Sequence, residues 1–568
     1  MENKQKRKYF TVKFDKELLV GFALCALILF GWAPLSRYMG WDSTPAAETA
    51  APVAETSAPA EKKTAPQTAL PVQKAVPEVP AKVAHVAPFV IENDDVIYHI
   101  DPMAGNVSSI TMKKFLNAER TAPIELAQKN GDFSVYSPKN GWKLLNVAVR
   151  KGKSSADVIR TMQTVDGKIF QIQQSWQLAA KGYAADFQLT MRNMEKQPLM
   201  LGEFFLNGGN LAPWAEVSGD TIRVASHRFD FLTVKNKFVD IDADDDDDDF
   251  YVLPSPVVKW AGLGNKYFAS ILAAENGSFT LRQVRTPIEG KKNAYVISAE
   301  AVFSNMTLPA ASGETFRFRC YNGPKETELL AAFEPGCVRM MHLAWGPLDY
   351  LARLLLWMLV KLHGWIGSYG WSIILLTLIV RTIFYPVTAK ANVSMKKMQA
   401  VGPKIQALRE KYKDNPQMLN MKTMELYREE KVNPFGGCLP ILLQIPVFFA
   451  LYATLEGAVL LRQVPFLWCK DLAGPDTIFT IPLYFVNLPF NPLVLAMTGL
   501  MIIQQRMTPM SADPMQKKMM MAMPIVMLLF LYNLPSGLTL YWTVSNLFSI
   551  VQLKLQQRTT TPAAAKEA

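Results

Sequence analysis

The apolar and polar positions of this chain change rhythm along its length. From residue 89 to 338 they alternate in short runs such as FQIQQSWQL, ADFQLTM, SFTLRQV, AYVISAEAVF and TFRFRCY, set apart by Gly, Asn, Asp and Pro. Period-two alternation with frequent turn residues predicts antiparallel strands, and ~250 residues of it predict one large β-sandwich. Elsewhere the apolar runs are continuous. Stretches near 18–35, 366–387, 434–460, 481–505 and 519–555 reach the roughly 20 residues that cross ~30 Å of hydrocarbon. The last is too long for one helix and is broken at NLPSG (533–537), giving helices over 519–534 and 538–556. The pattern predicts a polytopic α-helical membrane protein with six transmembrane helices and a large antiparallel β-sandwich domain.

A helical rhythm marks two further segments. In MMHLAWGPLDYLARLLLWMLVKLHGW, Asp349, Arg353 and Lys361 recur at multiples of four, opposite Leu351, Leu354, Leu355, Met358 and Leu362. That predicts an amphipathic helix over 339–365, lying in the membrane interface. Met395, Met398, Ile405, Leu408 and Tyr412 step by threes, fours and sevens, and Met418, Met421, Met424 and Tyr427 resume the pattern after DNP at 414–416. An antiparallel helical hairpin is expected over 388–433.

Charge orients these elements. The formal net charge is +11, but the basic residues cluster beside apolar segments, as in cytoplasmic loops, rather than forming a nucleic-acid patch. Lys4, Lys6, Arg7, Lys8, Lys13 and Lys16 precede the first apolar run, whose core is longer than that of a cleaved signal peptide. The expectation is a cytoplasmic N-terminus (1–17), an uncleaved transmembrane anchor (18–36) and an exit to the far side. Residues 37–88, rich in Ala and Pro, read as an extended tether that buries no core. Residues 386–433 hold ten Lys or Arg against five acids, so the hairpin is assigned to the cytoplasm. A five-helix core (366–555) and a cytoplasmic tail (556–568) complete the plan.

Candidate chemistry narrows to one residue. Arg381 lies about eleven residues into its span, ~16 Å along a helix, past the bilayer midpoint. A mid-membrane arginine costs roughly 2.5 to 3.5 kcal/mol on insertion scales, so it needs a carboxylate, a route to the surface or a hydrated cavity. From 434 onward the acids before the tail are Glu456, Asp471, Asp476 and Asp513, none at the right depth. Thr377 one turn earlier, with Gln444, Gln504, Gln505, Asn546 and Gln552 in otherwise apolar spans, favours a hydrated groove. Fifteen of the 27 methionines fall between 395 and 527, a soft lining suited to varied apolar partners.

Other chemistries find little support. None of the five histidines lies in a span, which disfavours an ion- or proton-coupled transporter. The β-domain offers only His99 and His227 and no nucleophile motif for a membrane-tethered carbohydrate-active enzyme, and SMKK (394–397) lacks its partner motifs. The run Asp244 to Asp249 lacks the alternation and turn glycine of a calcium loop. Cys320 and Cys337 fall near each other in the soluble part, leaving a pairing open.

VNPFGGCLPILLQIPVFFALY (432–452), DPMQKKMM…MP (513–524) and LPSGLTLYWTVSNLFSIVQ (534–552), after a WSI…R…YP span and an amphipathic helix, resemble the YidC/Oxa/Alb family of membrane-protein insertases, in its Gram-negative form. The resemblance implies an insertase and chaperone of the inner membrane without a cofactor, not an enzyme. Its β-domain would be periplasmic and both termini cytoplasmic. It would act alone or beside the Sec translocon (SecYEG, with SecDF), taking nascent membrane proteins in the lipid bilayer and meeting the ribosome and signal recognition machinery. By motif position, Arg381, Thr377, Gln444 and Trp542 would line the groove, Trp542 standing where relatives often carry tyrosine. Pro446, Phe448 and Met527 would meet substrate helices. Tyr385 and Asp513 would face the ribosome or targeting factors, whereas Asn392 departs from an aromatic.

Overall fold

The structure, a computed structural model, describes residues 85–117, 120–126, 131–138, 141–211, 228–242, 256–275, 277–287, 295–344, 346–413, 415–430, 432, 439–482, 487–508 and 514–560. The expected anchor, nearly all of the tether, the Asp244–Asp249 run, Asp513 and the end of the tail lie outside them. Contacts divide the chain into two compact units, one ending at Met341 and the other resuming at His342.

The first unit is antiparallel throughout. Among the described residues, a four-stranded sheet takes Phe89–Glu92, Val96–Asp101, Asn106–Leu116 and Pro123–Glu125 in chain order. A thirteen-stranded sheet runs from Val135–Tyr136 through Leu199–Leu211, Tyr295–Leu308, Phe279–Pro287, Val257–Gly264, Phe268–Ala274, Gly313–Pro324, Ala184–Asn193, Ile169–Leu178 and Ser155–Gln163 to Lys143–Lys151, with Arg228–Thr233 and Phe238–Asp242 off this path. Alternation in sequence becomes alternation in burial: along Ile169–Leu178, Phe170, Ile172, Gln174, Trp176 and Leu178 point inward. The long sheet curls onto itself, so closely that a Cβ on Gly208 would lie 2.6 Å from Leu272 Cδ2. The small sheet packs through Phe115, edge-on to Phe268 at 5.2 Å, and through Tyr98, whose hydroxyl accepts from Asn322 Nδ2 at 3.0 Å. Cys320 and Cys337 are buried free thiols, which closes the question of their pairing.

The second unit is helical. Its helices, numbered on from a short α1 (Thr327–Phe333) in the first unit, are α2 (Pro347–Ile366), α3 (Tyr369–Ala400), α4 (Gly402–Lys411), α5 (Pro416–Glu429), α6 (Leu439–Gly457), α7 (Pro492–Met507), α8 (Pro514–Leu531) and α9 (Ser536–Thr560). Among the described residues only α3 is long and apolar enough to cross a membrane by itself, and a shorter apolar helical segment spans Met521–Leu531.

Three expectations change here. The amphipathic helix begins at Pro347 rather than 339, because Pro335–Met341 forms a 3-10 turn. Its buried stripe, Leu351, Ala352, Leu355, Leu359 and Leu362, packs on α3 and α6, where Thr454 Oγ1 donates to the Ala352 carbonyl at 3.0 Å. The hairpin starts later than 388: Met395 and Met398 belong to α3, which runs through Pro386 to Ala400, and no breaker occurs before Gly402-Pro403. The hairpin itself is α4 and α5, with Asn415 Oδ1 capping α5 by accepting from the Met418 amide and a Lys404–Glu430 ion pair across it. Finally, the expected crossing over 481–505 is not one helix. Phe479–Pro482 and Asn487–Phe490 pair as a β-hairpin, because Pro482, Pro489 and Pro492 interrupt a helix, and α7 follows.

Candidate functional site: a polar seam between α3 and α9

Arg381 projects from α3 and is half-buried. Its Nε donates to Ser545 Oγ of α9 at 2.5 Å, and it makes no ion pair among the described residues. One turn earlier on α9, the hydroxyl of the buried Tyr541 accepts from Gln444 Nε2 of α6 at 2.8 Å. Three helices are thus tied together by a guanidinium, two hydroxyls and an amide. Thr377 is fully buried in the same register, with Oγ1 returned to the Ile373 carbonyl at 2.7 Å, which satisfies the hydroxyl within its own helix.

The Arg381–Ser545 bond is one rung of a longer seam. Gln552 Nε2 donates to Thr388 Oγ1 at 3.0 Å and Asn392 Nδ2 to Gln556 Oε1 at 3.2 Å, and all three pairs are separated by 164 residues. A constant offset requires α3 and α9 to run in the same direction, and the steps of seven and four residues are those of a heptad stripe. At the other end of the stripe, Ile373 Cδ1 lies 3.3 Å from where a Cβ on Gly537 would stand, again at that offset. A Cβ there would press on the Leu472 carbonyl, at 3.0 Å, as well. Beyond the last rung, Asn392, Lys396, Gln399, Arg506 and Gln556 line a cleft of ≈ 290 Å³.

The other expected site residues form a separate, apolar group. Trp542 packs with Met527 on the cluster of Val494, Met497 and Leu531, and its ring meets Phe448 edge-on at 4.9 Å. The tyrosine hydroxyl of this seam, bonded to Gln444, therefore belongs to Tyr541, one residue before the position expected from the motif. Pro446 sits partly exposed within α6, Tyr385 is an exposed side chain on α3, and Asp513 lies outside the described residues. Sequence reasoning missed Ser545 and Tyr541. The signal that could have found Ser545 is the shared spacing: Arg381 and Thr388 are seven apart, as are Ser545 and Gln552.

The arrangement carries charge without a redox or hydrolytic constellation. No group of three or more His, Cys, Asp or Glu that could hold a metal occurs among the described residues. What it can do is hold a cation beside neutral hydrogen-bonding groups, next to a face of Phe, Trp and Met.

The chain is similar to known proteins over most of its length. A family model described as 60Kd inner membrane protein matches residues 361–563, and one described as YidC periplasmic domain matches residues 89–358. A protein of Geobacter sulfurreducens named membrane protein insertase YidC is 42% identical over 308 residues, covering 54% of each chain. A protein of the same name from Pelobacter propionicus is 41% identical over 298 residues, covering 52% of this chain and 53% of its own. The chain thus spans about half the length of these relatives. A crystal structure titled "Active YidC insertase" with its first transmembrane domain resolved aligns with 82% of this chain and 92% of its own, at 18% identity and a TM-score of 0.35.

Proposed function

This chain belongs to the 60Kd inner membrane protein family bearing a YidC periplasmic domain, and from that premise we propose that it inserts nascent membrane proteins into the inner membrane and helps them fold. The observation that carries the proposal is Arg381, a half-buried cation held by the neutral hydroxyl of Ser545. A guanidinium without a carboxylate partner keeps its field free for an incoming polar or acidic segment. It attracts such a segment and lowers the cost of drawing it into the membrane. The adjoining Phe448, Trp542 and Met527 receive the apolar part of the substrate. Burial in lipid, at ~25 cal/mol per Å2 of apolar surface, then drives release.

In this reading the protein has six spans, with the β-domain in the periplasm and both termini in the cytoplasm. The common direction of α3 and α9 supports that count, since two spans separated by an odd number of crossings must run alike. The exposed cations of α4 and α5 face the cytoplasm, where the ribosome and targeting machinery deliver the nascent chain, and the Sec translocon is the partner for larger substrates. The role is transport and folding rather than catalysis.

Photo-crosslinking during synthesis tests the reading. A photoreactive residue at Gln444 or Met527 is expected to capture the apolar segment of a ribosome-bound single-span protein, and one at exposed Val165 in the β-domain is not. Equal capture from all three positions would overturn it.

A further inference from the structure

The β-hairpin between α6 and α7 has no assigned part in insertion. From Asp476 to Arg506 the chain carries no charged residue between those two, yet among the described residues of that stretch only those from Pro492 on are helix. At 1.5 Å per residue α7 is ~24 Å long, short of ~30 Å of hydrocarbon. The missing length falls at its N-terminal end, where the hairpin lies.

The hairpin is fastened there and exposed. Tyr532 Oη donates to the Pro489 carbonyl at 2.5 Å, Asn491 Nδ2 to the Tyr532 carbonyl at 2.7 Å, and Thr477 Oγ1 to Asn491 Oδ1 at 2.7 Å. Asp476 is buried: its carboxylate accepts from Trp468 Nε1 at 3.1 Å and from the Leu493 amide at 2.6 Å, at the start of α7, where a helix dipole favours an anion. The neighbouring segment closes the ends of two other helices at the same level. Ser536 and Gly537, opening α9, donate to the Gly474 and Leu472 carbonyls, and Phe466 packs against Gly370 and Trp371, opening α3. Despite this fastening, Ile478, Phe479, Ile481 and Leu488 are 40–52% exposed, beside Trp468 at 46% and Leu467 at 69%.

We propose that this hairpin is a lipid-binding element that lies in the headgroup–acyl boundary of the outer leaflet and completes the apolar thickness that α7 lacks. Leu495 near the start of α7 and Trp371 near the start of α3 are exposed apolar side chains as well. From Thr477 to Gln505 the chain carries no charged side chain for a polar partner to meet. Tryptophan and tyrosine favour that boundary, and the open edges of a two-stranded ladder need water or headgroups there, since unpaired backbone in hydrocarbon is costly. The inference rests on the membrane reading above, and the test separates the two.

The purified full chain, with its five native cysteines replaced by alanine, is labelled with an environment-sensitive fluorophore at Phe479→Cys, Ile481→Cys, Leu378→Cys or Val165→Cys and reconstituted in vesicles of phosphatidylethanolamine and phosphatidylglycerol. All four side chains are exposed, and of the two hairpin sites Ile481 leaves the Phe479–Phe490 stack in place. The hairpin labels are expected to emit to the blue of the Val165 label and to be quenched more by lipids with a shallow nitroxide than a deep one, the Leu378 label showing the reverse preference. Hairpin labels that behave like the Val165 label while the Leu378 label is quenched would overturn the proposal and leave the surface to a protein partner. If the Leu378 label also escapes quenching, the membrane reading falls with it.

Discussion

Arg381 has one hydrogen bond to another helix, so the hydroxyl of Ser545 sets where the guanidinium points. Ser545→Ala is expected to reduce insertion of a substrate with an acidic tail more than one with a neutral tail, and Ser545→Thr to retain most of it, read as protease-protected product in proteoliposomes. Tyr541→Phe strands the Gln444 amide and should cost about 1–3 kcal/mol in thermal unfolding, while Trp542→Phe costs less. A sequence motif locates the LYW triplet but not its rotation: adjacent helical residues differ by ~100°, and where every side of a helix is apolar no pattern fixes the phase. In the β-domain, burial pushes the Asp132 carboxyl from its ordinary 3.8 up to about 7, opposed by hydrogen bonds from the Asn210 amide and side chain. Between those values the folded form binds more protons than the unfolded, so stability falls as pH rises from about 3.8 to about 7 and levels above. Asp132→Asn keeps an acceptor for Asn210 and should flatten that slope in a pH series of thermal melts; an unchanged slope would assign it to another group.

The seam is a property of the α3–α9 pair rather than of any residue in it. A fixed offset of 164 residues makes a specific expectation. Thr388→Cys with Gln552→Cys should be joined by a short bifunctional thiol reagent, whereas Thr388→Cys with Val551→Cys, whose parent side chain is 49% exposed, should not. Similar yields for both pairs would mean that the helices rotate against each other. Elements were legible where one periodicity dominated. The strands of the β-domain show it, because alternation survives from sequence into burial along Ile169–Leu178. The stretch 481–505 misled because apolarity alone does not separate a helix from a hairpin, and the informative residues were Pro482, Pro489 and Pro492. The hairpin expected from 388 starts later because the steps of Met395 and Met398 give helical rhythm without marking where one helix ends, and both lie in the 32-residue helix α3, which runs on through Pro386.

Across the whole chain, an antiparallel β-unit and a helical unit follow from the change of rhythm near residue 340, and both are legible in the sequence. The pairing of a cation with a neutral hydroxyl on a helix 164 residues away was not, since a contact of that range leaves only a shared spacing in the sequence. The central claim is that this unneutralised cation serves the entry of polar segments into the membrane. Its most direct test is the insertion of a single-span protein with a short acidic tail into liposomes holding the purified Arg381→Ala or Arg381→Lys protein. The expected result is loss with alanine and retention of much of the activity with lysine. Insertion at the parent level by Arg381→Ala would contradict the claim.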